Sequence, residues 1–310
     1  MVQKIIFDTD PGVDDSMALL LALASPELDV LGVTTVFGNS SVEHTTHNAL
    51  RVLEVGGRPE VPVVAGAAQP LARLRGRPSS VHGADGLGNS GWPPAARAAT
   101  SWPGGAAGFI ADTILAHPGE VTVVAVAPLT NLAQAVANAP GIVSAVRRVI
   151  VMGGAVFRPG NVSPVAEANI HNDPEAARLV LGAGWPVTLV GLDVTLRTLM
   201  SDAYLDDLGR AGRPVTDFLT HILPVYRQAY RARGFRNGIP THDPSAMAAA
   251  IDPTLFQTQR VPLYVETEGR CAGQTVADPD RQWAPLPEID VCVGVDSDRL
   301  LTLFRARLTA

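Results

Sequence analysis

Short apolar runs alternate with helical segments through the first two-thirds of the chain. Runs of about four to eight apolar and β-branched residues are typical of buried parallel strands. We predict strands over Lys4–Phe7, Val30–Val36, Val61–Ala65, Val121–Val126, Val149–Met152 and Val187–Val190. Helices are predicted over Ser16–Ala22, from near Ser40, from about Thr130, from Asp173-Pro174 and from about Pro214 to Arg233. The alternation predicts an α/β fold with a mostly parallel central sheet flanked by helices.

The last third of the chain changes character. Three short strands, predicted over Val261–Glu266, Cys271–Val276 and Ile289–Val295, indicate a small antiparallel extension near the C-terminus. Residues 67–103 are rich in Gly, Pro, Ala and Arg, which is typical of a long functional loop. Because there is no internal repeat and no Ser- or Gly-rich linker, we predict one large domain over residues 1–310.

Individual residues mark some of the predicted element ends. Ser40 and Glu43 have the spacing of a capping box at the start of the second helix. Pro62 favours a strand start or a sheet edge, because proline cannot donate a hydrogen bond to a neighbouring strand. Asp173 before Pro174 is a helix-start signal.

The first strand leads into a turn that holds four carboxylates. Asp8, Asp10, Asp14 and Asp15 flank the dipeptide Pro11-Gly12, which marks a sharp turn between strand and helix. A helix N-cap accounts for one of these acids or two, but not for all four. Four acids this close repel one another unless a positive charge lies among them. A hard divalent cation held by carboxylate oxygens is the simplest compensation, so we predict a metal-dependent active site at this turn.

Composition narrows the class of protein. The chain has 310 residues, of which 46% are hydrophobic, and a formal net charge of −6 without a block of basic residues. This charge gives no general attraction to nucleic acid or to an anionic membrane. The N-terminus lacks the pattern of a secretion signal, and no stretch approaches the roughly 20 apolar residues of a membrane span. Cys271 and Cys292 have no metal-ligand spacing and are interpreted as buried thiols. We expect a cytoplasmic protein.

Polar residues follow several of the predicted strands. In open α/β sheets, ligands bind beyond the carboxyl ends of the strands, so these residues are candidates for the site. Asn39 follows the second strand and is either an ordinary turn residue or a ligand for a hydroxyl group. Asn161, Glu167 and Asn169 share one loop, and together they can donate and accept hydrogen bonds to a polyhydroxylated ligand. Polar residues are common in loops, which is the alternative explanation.

Two histidines are candidates for proton transfer. His242 precedes Asp243 and Pro244, and its ordinary pKa near neutrality suits a general acid. The alternatives are a hydrogen-bonded core histidine for His242 and a helix N-cap for Asp243. His82 lies in the long loop, from which it either reaches over the same cleft or serves the loop alone.

In this order, the motifs resemble the inosine-uridine preferring nucleoside hydrolase family. The acidic turn Asp8–Asp15 is the most specific of them. The others are Thr34–Asn39, Pro128–Asn131, Met152–Gly154, Glu167–Ile170 and Thr241–Pro244. The resemblance covers nearly the whole chain. It implies hydrolysis of the N-glycosidic bond of ribonucleosides to ribose and free base, with Ca²⁺ as cofactor.

The resemblance also implies roles for individual residues. The positions of Asp10, Asp15 and Asp243 match carboxylates that bind the calcium ion, and Val126 matches a backbone carbonyl ligand. The ion would also take two ribose hydroxyls and the attacking water, with Asp10 as the base for that water. Residues at five further positions would hold the ribose hydroxyls, namely Asp14, Asn39, Asn161, Glu167 and Asn169. His242 matches the residue that protonates the leaving base, and relatives commonly form a homotetramer or dimer.

Some positions depart from the pattern or stay ambiguous. Ala168 stands where relatives often have a phenylalanine that lines the sugar pocket. Tyr226 and Tyr230 lie four residues apart on one predicted helix, where they either contact the base or form a core stripe. Trp283 is similarly ambiguous. A histidine acid at position 242 disfavours the purine-only subgroup but leaves the preferred base open.

Two other functions compete with this interpretation. In a haloacid-dehalogenase-like phosphatase, Asp8 would be the nucleophile and Asp10 the acid, although that class usually has Gly-Thr where this chain has Pro11-Gly12. A non-catalytic nucleoside-binding protein would use the same pocket without releasing sugar. The complete set of acids, Asn39 and His242 favours the hydrolase.

Overall fold

We describe a computed structural model of the chain, covering residues 2–74, 80–283 and 285–310. Its strands are β1 (Gln3–Thr9), β2 (Leu28–Thr35), β3 (Val63–Ala65), β4 (Val121–Ala125), β5 (Arg148–Met152), β6 (Val187–Val190), β7 (Leu199–Met200), β8 (Ile239–Pro240), β9 (Phe256–Val265), β10 (Thr275–Ala277) and β11 (Glu288–Val295). Its helices are α1 (Val13–Leu23), α2 (Val42–Val55), α3 (Gly105–Ala116), α4 (Thr130–Asn138), α5 (Ile142–Ala145), α6 (Ala168–Asn172), α7 (Pro174–Leu181), α8 (Leu192–Thr195), α9 (Asp202–Gly209), α10 (Pro214–Ala232), α11 (Asp243–Ile251) and α12 (Ser297–Thr309). None of the helices in these ranges is long and apolar enough to cross a membrane.

A nine-stranded sheet forms the centre of the fold, in the order β10-β9-β11-β6-β5-β4-β1-β2-β3. The strands from β3 to β6 are parallel to their neighbours, and β11 is parallel to β6. Strands β9 and β10 are antiparallel, and β9 is antiparallel to β11. The predicted α/β fold with a small antiparallel C-terminal extension is therefore confirmed.

Helices cover both faces of the sheet because successive strand residues point to opposite sides. Ile5 and Phe7 of β1 belong to the core shared with α1, α2, α10 and α11. Ile6, between them, belongs to the core on the other face, which includes α3, α4 and α7. Helix α1 is buried almost throughout, which explains why its sequence is apolar on every side from Met17 onward.

The strand order reverses at β1, and this reversal places the site. The chain moves outward from β1 to β2 and β3, then returns to the other side of β1 for β4, β5 and β6. The carboxyl ends of β1 and β4 diverge into different connections here, which leaves a crevice for ligands. At this point the Val126 N–H donates to the Asp8 carbonyl oxygen at 2.9 Å. The acidic turn and Val126 therefore lie next to each other at the carboxyl ends of β1 and β4.

Several sequence predictions need correction. The N-cap of α2 is Ser41, whose hydroxyl oxygen accepts a hydrogen bond from the His44 N–H. Ser40 is not the cap, because its hydroxyl bonds instead to the His44 ring and to the Ala84 carbonyl. Strand β3 begins at Val63 rather than two residues earlier.

The C-terminal extension and the long loop also differ in detail. Cys271 ends a 3₁₀ turn rather than starting a strand, and its thiol is exposed, whereas Cys292 is buried as predicted. Within the described part of 67–103, the only regular element is a 3₁₀ turn at Ser80–His82; residues 75–79 lie outside the described ranges. Helix α3, which follows directly, was not predicted, because its run of Ala and Gly has little amphipathic pattern.

Candidate active site

Asp15 organises the acidic turn by accepting hydrogen bonds on both carboxylate oxygens. Its Oδ1 accepts from the Thr9 hydroxyl at 2.6 Å and from the Asp10 N–H at 3.2 Å. Its Oδ2 accepts from the Gly12 N–H and from Asn39 Nδ2, both at 2.9 Å. The turn therefore folds around this one carboxylate, and Asn39 joins it from the end of β2.

Asp10 lies in the same turn and uses only one of its two carboxylate oxygens in a hydrogen bond. Its Oδ2 accepts a hydrogen bond from the Asn39 N–H at 2.6 Å. Its Oδ1 is buried and has no hydrogen-bond partner in the described residues. Gly38 makes this position possible, because a Cβ atom there would lie 1.8 Å from Asp10 Oδ2. Any side chain at position 38 would displace the Asp10 carboxylate.

Asp8 has a different role from the other three acids. Its Oδ1 accepts hydrogen bonds from the Thr34 hydroxyl at 2.6 Å and from Asn131 Nδ2 at 2.8 Å. Asn131 also donates to the Thr35 carbonyl and accepts from the Ala67 N–H. Asp8 thus joins β1 to β2 and to α4 beneath the site, and it does not line the cavity.

Asp243, more than 220 residues away in sequence, reaches the acidic turn as the first residue of α11. Carboxylate oxygens of Asp14, Asp15 and Asp243 lie within 4.8 Å of one another, and all three residues are buried. The family resemblance predicted that Asp243 meets Asp10 and Asp15. The closest triplet includes Asp14, which the sequence analysis assigned to the sugar, in place of Asp10.

Burial and mutual repulsion raise the pKa values of these acids. Burial is the largest cause for each of them, and it raises the pKa of Asp14 to about 6. Charges on neighbouring acids raise the pKa values of Asp10, Asp15 and Asp243 further. Such a group is unfavourable when fully ionised, and a bound cation would remove the penalty.

The residues present fit a hard cation. Asp10 Oδ1 and Asp14 Oδ1 are buried oxygens without a hydrogen-bond partner in the described chain. The Val126 carbonyl faces the same cavity and accepts a hydrogen bond from Asn169 Nδ2 at 2.9 Å. Every donor in this group is an oxygen, which suits Ca²⁺ or Mg²⁺ better than the nitrogen- and sulfur-rich sites of zinc.

A cavity of about 480 Å³ opens above these acids. Nine of the predicted site residues line it: Asp14, Asn39, His82, Val126, Asn161, Glu167, Asn169, His242 and Asp243. Asp10 and Asp15 lie beneath its floor and are almost completely buried. The sequence predictions therefore meet in one place, with oxygen donors at the bottom.

One wall of the cavity carries polar groups from the loop after β5. Glu167 caps α6, and its carboxylate accepts hydrogen bonds from the N–H groups of Gly154, Asn169 and Ile170. Burial raises the pKa of Glu167 to about 7 despite these bonds. Asn161 is more exposed, and its N–H donates to the Ala166 carbonyl, which closes the loop on itself. These groups are placed to bind hydroxyls.

The opposite wall carries the two histidines. His82 Nδ1 accepts from the Val13 N–H at 3.1 Å and lies 3.7 Å from Asp14 Oδ1. His242 is held at both ring nitrogens, by the Thr195 hydroxyl at 2.9 Å and the Tyr230 hydroxyl at 2.8 Å. Burial lowers the pKa of His82 to about 4 and that of His242 to about 3. Both rings are neutral at pH 7 in this state.

Several lining residues were missed or left ambiguous by the sequence analysis. Tyr230 and Arg233 line the cavity, whereas Tyr226 is fully buried behind Tyr230. These three positions are spaced by four and three residues, so they share one side of the helical stretch, and this spacing was the available signal. Trp283 is half exposed and packs against Tyr264, so it lies outside the cavity lining.

Comparisons with known proteins agree with this site. Residues 5–302 match the family described as inosine-uridine preferring nucleoside hydrolase. The chain is similar to uridine nucleosidase 1 of Arabidopsis thaliana, with 39% identity over 314 aligned positions that cover 99% of this chain and 93% of that protein. It is 42% identical to the inosine-uridine preferring nucleoside hydrolase of Leishmania major over 281 positions, covering 90% and 88%. A solved plant nucleoside hydrolase superposes with a TM-score of 0.96 and 38% identity over 100% of both chains.

Proposed function

The chain belongs to the inosine-uridine preferring nucleoside hydrolase family and is a ribonucleoside hydrolase, and we propose on this basis that it releases ribose and free base from nucleosides in a Ca²⁺-dependent reaction. The observation that carries the proposal is the meeting of Asp14, Asp15 and Asp243 beneath a cavity that two histidines also line. A phosphatase of the rival class would need Asp8 as its nucleophile, but Asp8 accepts hydrogen bonds from Thr34 and Asn131 and does not line the cavity. A passive binding protein would not need a proton donor opposite the acids.

The cofactor would be held by oxygen atoms alone. The proposed donors are the carboxylates of Asp10, Asp15 and Asp243 and the backbone carbonyl of Val126. When bound, calcium would supply positive charge that holds sugar hydroxyls and makes a neighbouring water more acidic. Calcium accepts six to eight oxygen ligands in flexible geometry, which suits a group drawn from three separate segments.

The ribose would lie across the polar wall and the floor. The Asp14 carboxylate and the Asn39 amide meet the sugar from the acidic turn. Asn161, Glu167 and Asn169 meet it from the loop after β5. Carboxylates accept hydrogen bonds from hydroxyls and amides both donate and accept, so these groups can satisfy several hydroxyls in one fixed orientation. Bound in this way, the sugar would turn its anomeric carbon toward the acidic turn that carries Asp10.

Cleavage of the glycosidic bond builds positive charge on the sugar ring. Carboxylates beneath the ring stabilise this oxocarbenium-like transition state. The oxygen of a water molecule bonds to the anomeric carbon, and its proton passes to Asp10, whose Oδ1 has no other partner in the described chain. The bond between the anomeric carbon and the base nitrogen breaks, and its electron pair leaves with the base.

The departing base needs a proton, and His242 with Tyr230 would supply it. The low pKa of His242 makes the protonated ring a strong acid but keeps it mostly neutral at pH 7. Tyr230 lines the cavity and its hydroxyl contacts the ring, so this hydroxyl is placed to pass a proton from the ring to the base. The side chain of Arg233 also faces this end of the cavity and lowers the His242 pKa.

The first test is direct. Purified protein is incubated with uridine, cytidine, inosine or adenosine, and free ribose is measured as reducing sugar. We expect ribose release from uridine, as the name of the Arabidopsis relative suggests. Activity should disappear after chelation and return with added Ca²⁺. Release of phosphate from a phosphomonoester without ribose from any nucleoside would instead support the phosphatase.

Stability gives a second test that does not depend on turnover. Six buried acids have raised pKa values and the two buried histidines have lowered ones, and the acids outnumber the histidines. The folded, calcium-free protein therefore binds more protons than the unfolded chain between about pH 4 and pH 7. Its free energy of unfolding should therefore fall as the pH rises through this range. The raised pKa of Asp14, about 6, alone corresponds to roughly 3 kcal/mol of this fall in the free energy of unfolding.

Bound calcium should reverse this trend, because it favours the ionised acids. The melting temperature is measured at several pH values with chelator and with excess Ca²⁺. We expect the stabilisation by calcium to grow from pH 5 to pH 8. Asp298→Asn, at an exposed position of α12, is the matched control and should leave the trend unchanged. A calcium effect of the same size at every pH would contradict the proposed ligands.

A further inference from the structure

We propose that Thr195 is a positioning residue that orients the His242 ring for proton transfer to the leaving base. This inference rests on the proposed role of His242. Thr195 Oγ1 lies 2.9 Å from His242 Nδ1, on the side of the ring away from Tyr230. Thr195 is completely buried and does not line the cavity. It therefore acts on the reaction only through the ring that it holds.

The direction of this hydrogen bond follows from the partners available. In the described residues, the His242 ring is the only hydrogen-bond partner of the Thr195 hydroxyl. If Nδ1 carried the ring proton, it would donate to Thr195, and the hydroxyl proton would be buried without an acceptor. Such a donor is unfavourable. We infer that Thr195 donates and that Nδ1 accepts.

This direction fixes the tautomer of the neutral ring. With Nδ1 as an acceptor, the proton lies on Nε2, which is 2.8 Å from the Tyr230 hydroxyl oxygen. Nε2–H then donates to Tyr230, and the Tyr230 O–H is free to point to the base end of the cavity. The hydrogen bond to one imidazole nitrogen commonly selects the state of the other. To act as an acid, the ring takes up a second proton at Nδ1, where Thr195 Oγ1 can accept a hydrogen bond from it. Nε2 then passes its proton through Tyr230 to the base, and the ring is left neutral.

The short helix α8 explains why Thr195 can hold the ring steadily. This helix follows β6, and the Gly191 carbonyl accepts from the N–H groups of Val194 and Thr195. Asp193 in the same turn accepts from the N–H groups of Val156 and Phe157. Those residues begin the loop that carries Asn161 to the sugar side. One turn of helix therefore contacts both the His242 ring and the start of the loop that carries Asn161.

The experiment compares two variants and two kinds of substrate. Thr195→Val keeps the shape and removes the hydroxyl, whereas Thr195→Ser keeps the hydroxyl. Uridine requires protonation of its leaving group, but p-nitrophenyl β-D-riboside releases an anion that needs no proton. We expect Thr195→Val to lower kcat for uridine on the order of tenfold, the effect of one hydrogen bond, with little change in KM. Activity on the p-nitrophenyl riboside should stay within about twofold, and Thr195→Ser should recover most of the uridine activity.

Thr198→Val is the matched control. Thr198 is equally buried, but its hydroxyl bonds to Ser297 and not to a histidine. It should leave both activities unchanged. An equal loss on both substrates with Thr195→Val, or no loss on either, would overturn the positioning role.

His242→Ala separates this inference from the proposed function. If it lowers both activities equally, or neither, the general acid itself is wrongly assigned. If it lowers uridine hydrolysis selectively but Thr195→Val does not, only the role of Thr195 fails. The ¹⁵N chemical shifts of His242 in the unmutated protein give an independent reading. We expect an unprotonated Nδ1 and a protonated Nε2, and the opposite tautomer would contradict the proposal.

Discussion

Asp10→Asn should lower kcat by about 10²–10⁴-fold on every nucleoside, the range expected when a general base is lost. The amide has the size of the carboxylate, so the turn should keep its fold. It cannot accept the proton of the attacking water. Because this step does not involve the base that leaves, the loss should be similar for uridine, inosine and p-nitrophenyl β-D-riboside.

Two roles of Asp10 have to be separated in this experiment. As a proposed calcium ligand, the residue affects the affinity for the ion as well as the reaction. We therefore expect Asp10→Asn to need more Ca²⁺ for saturation, and kcat to stay low once saturation is reached. Asp298→Asn serves again as the exposed control.

Steady-state rates over a calcium titration provide the measurement. Full recovery of kcat at high calcium would mean that Asp10 only holds the ion. Activity within tenfold of the unmutated protein at all calcium concentrations would contradict both roles.

The sequence predicted the acidic turn well because all its determinants are local. An apolar strand, Pro11-Gly12 and an apolar helix fix the turn within some 20 residues. The four acids in it nevertheless differ, and spacing alone did not reveal that. Asp8 bonds to Thr34 and Asn131, which lie on other elements, so its separate role depends on tertiary packing.

Asp243 could be linked to this turn only through the family resemblance. Its own motif, with Pro244 after it, also fits an ordinary helix start, and the structure does begin α11 at this residue. Asp243 therefore both begins the helix and belongs to the acidic cluster. The fold brings α11 against α1, and this contact delivers Asp243 to the acids.

Sequence patterns could not identify the residues that form hydrogen bonds to the His242 ring. Thr195 lies in a four-residue helix that is too short to give a periodic signal. Tyr230 lies on an amphipathic helix, where its position fits a core stripe as well as a contact with the base. Which hydroxyl faces which ring nitrogen depends on how three segments pack. The single domain, the homo-oligomer and the cytoplasmic location stay predictions of the sequence.

His242→Ala should lower kcat for uridine by about 10²–10⁴-fold, the range expected for a lost general acid. The proposed ribose site lies on the other wall of the cavity, so KM should change much less. The p-nitrophenyl riboside should be hydrolysed at nearly the normal rate, because its leaving group departs without a proton. The two substrates thus report separately on acid catalysis and on the rest of the site.

Removing this ring also has a structural effect that must be accounted for. The Thr195 hydroxyl loses its ring partner, and a buried polar group left unpaired costs about 1–3 kcal/mol. Tyr230 also loses the ring but still accepts a hydrogen bond from the Tyr226 hydroxyl at 3.5 Å. The melting temperature should therefore fall even though the p-nitrophenyl riboside is still hydrolysed. His47→Ala, at an exposed position of α2, is the control for the loss of an imidazole. Normal turnover of all nucleosides by His242→Ala would show that another group protonates the base, and His82, on the same wall, would be the next residue to test.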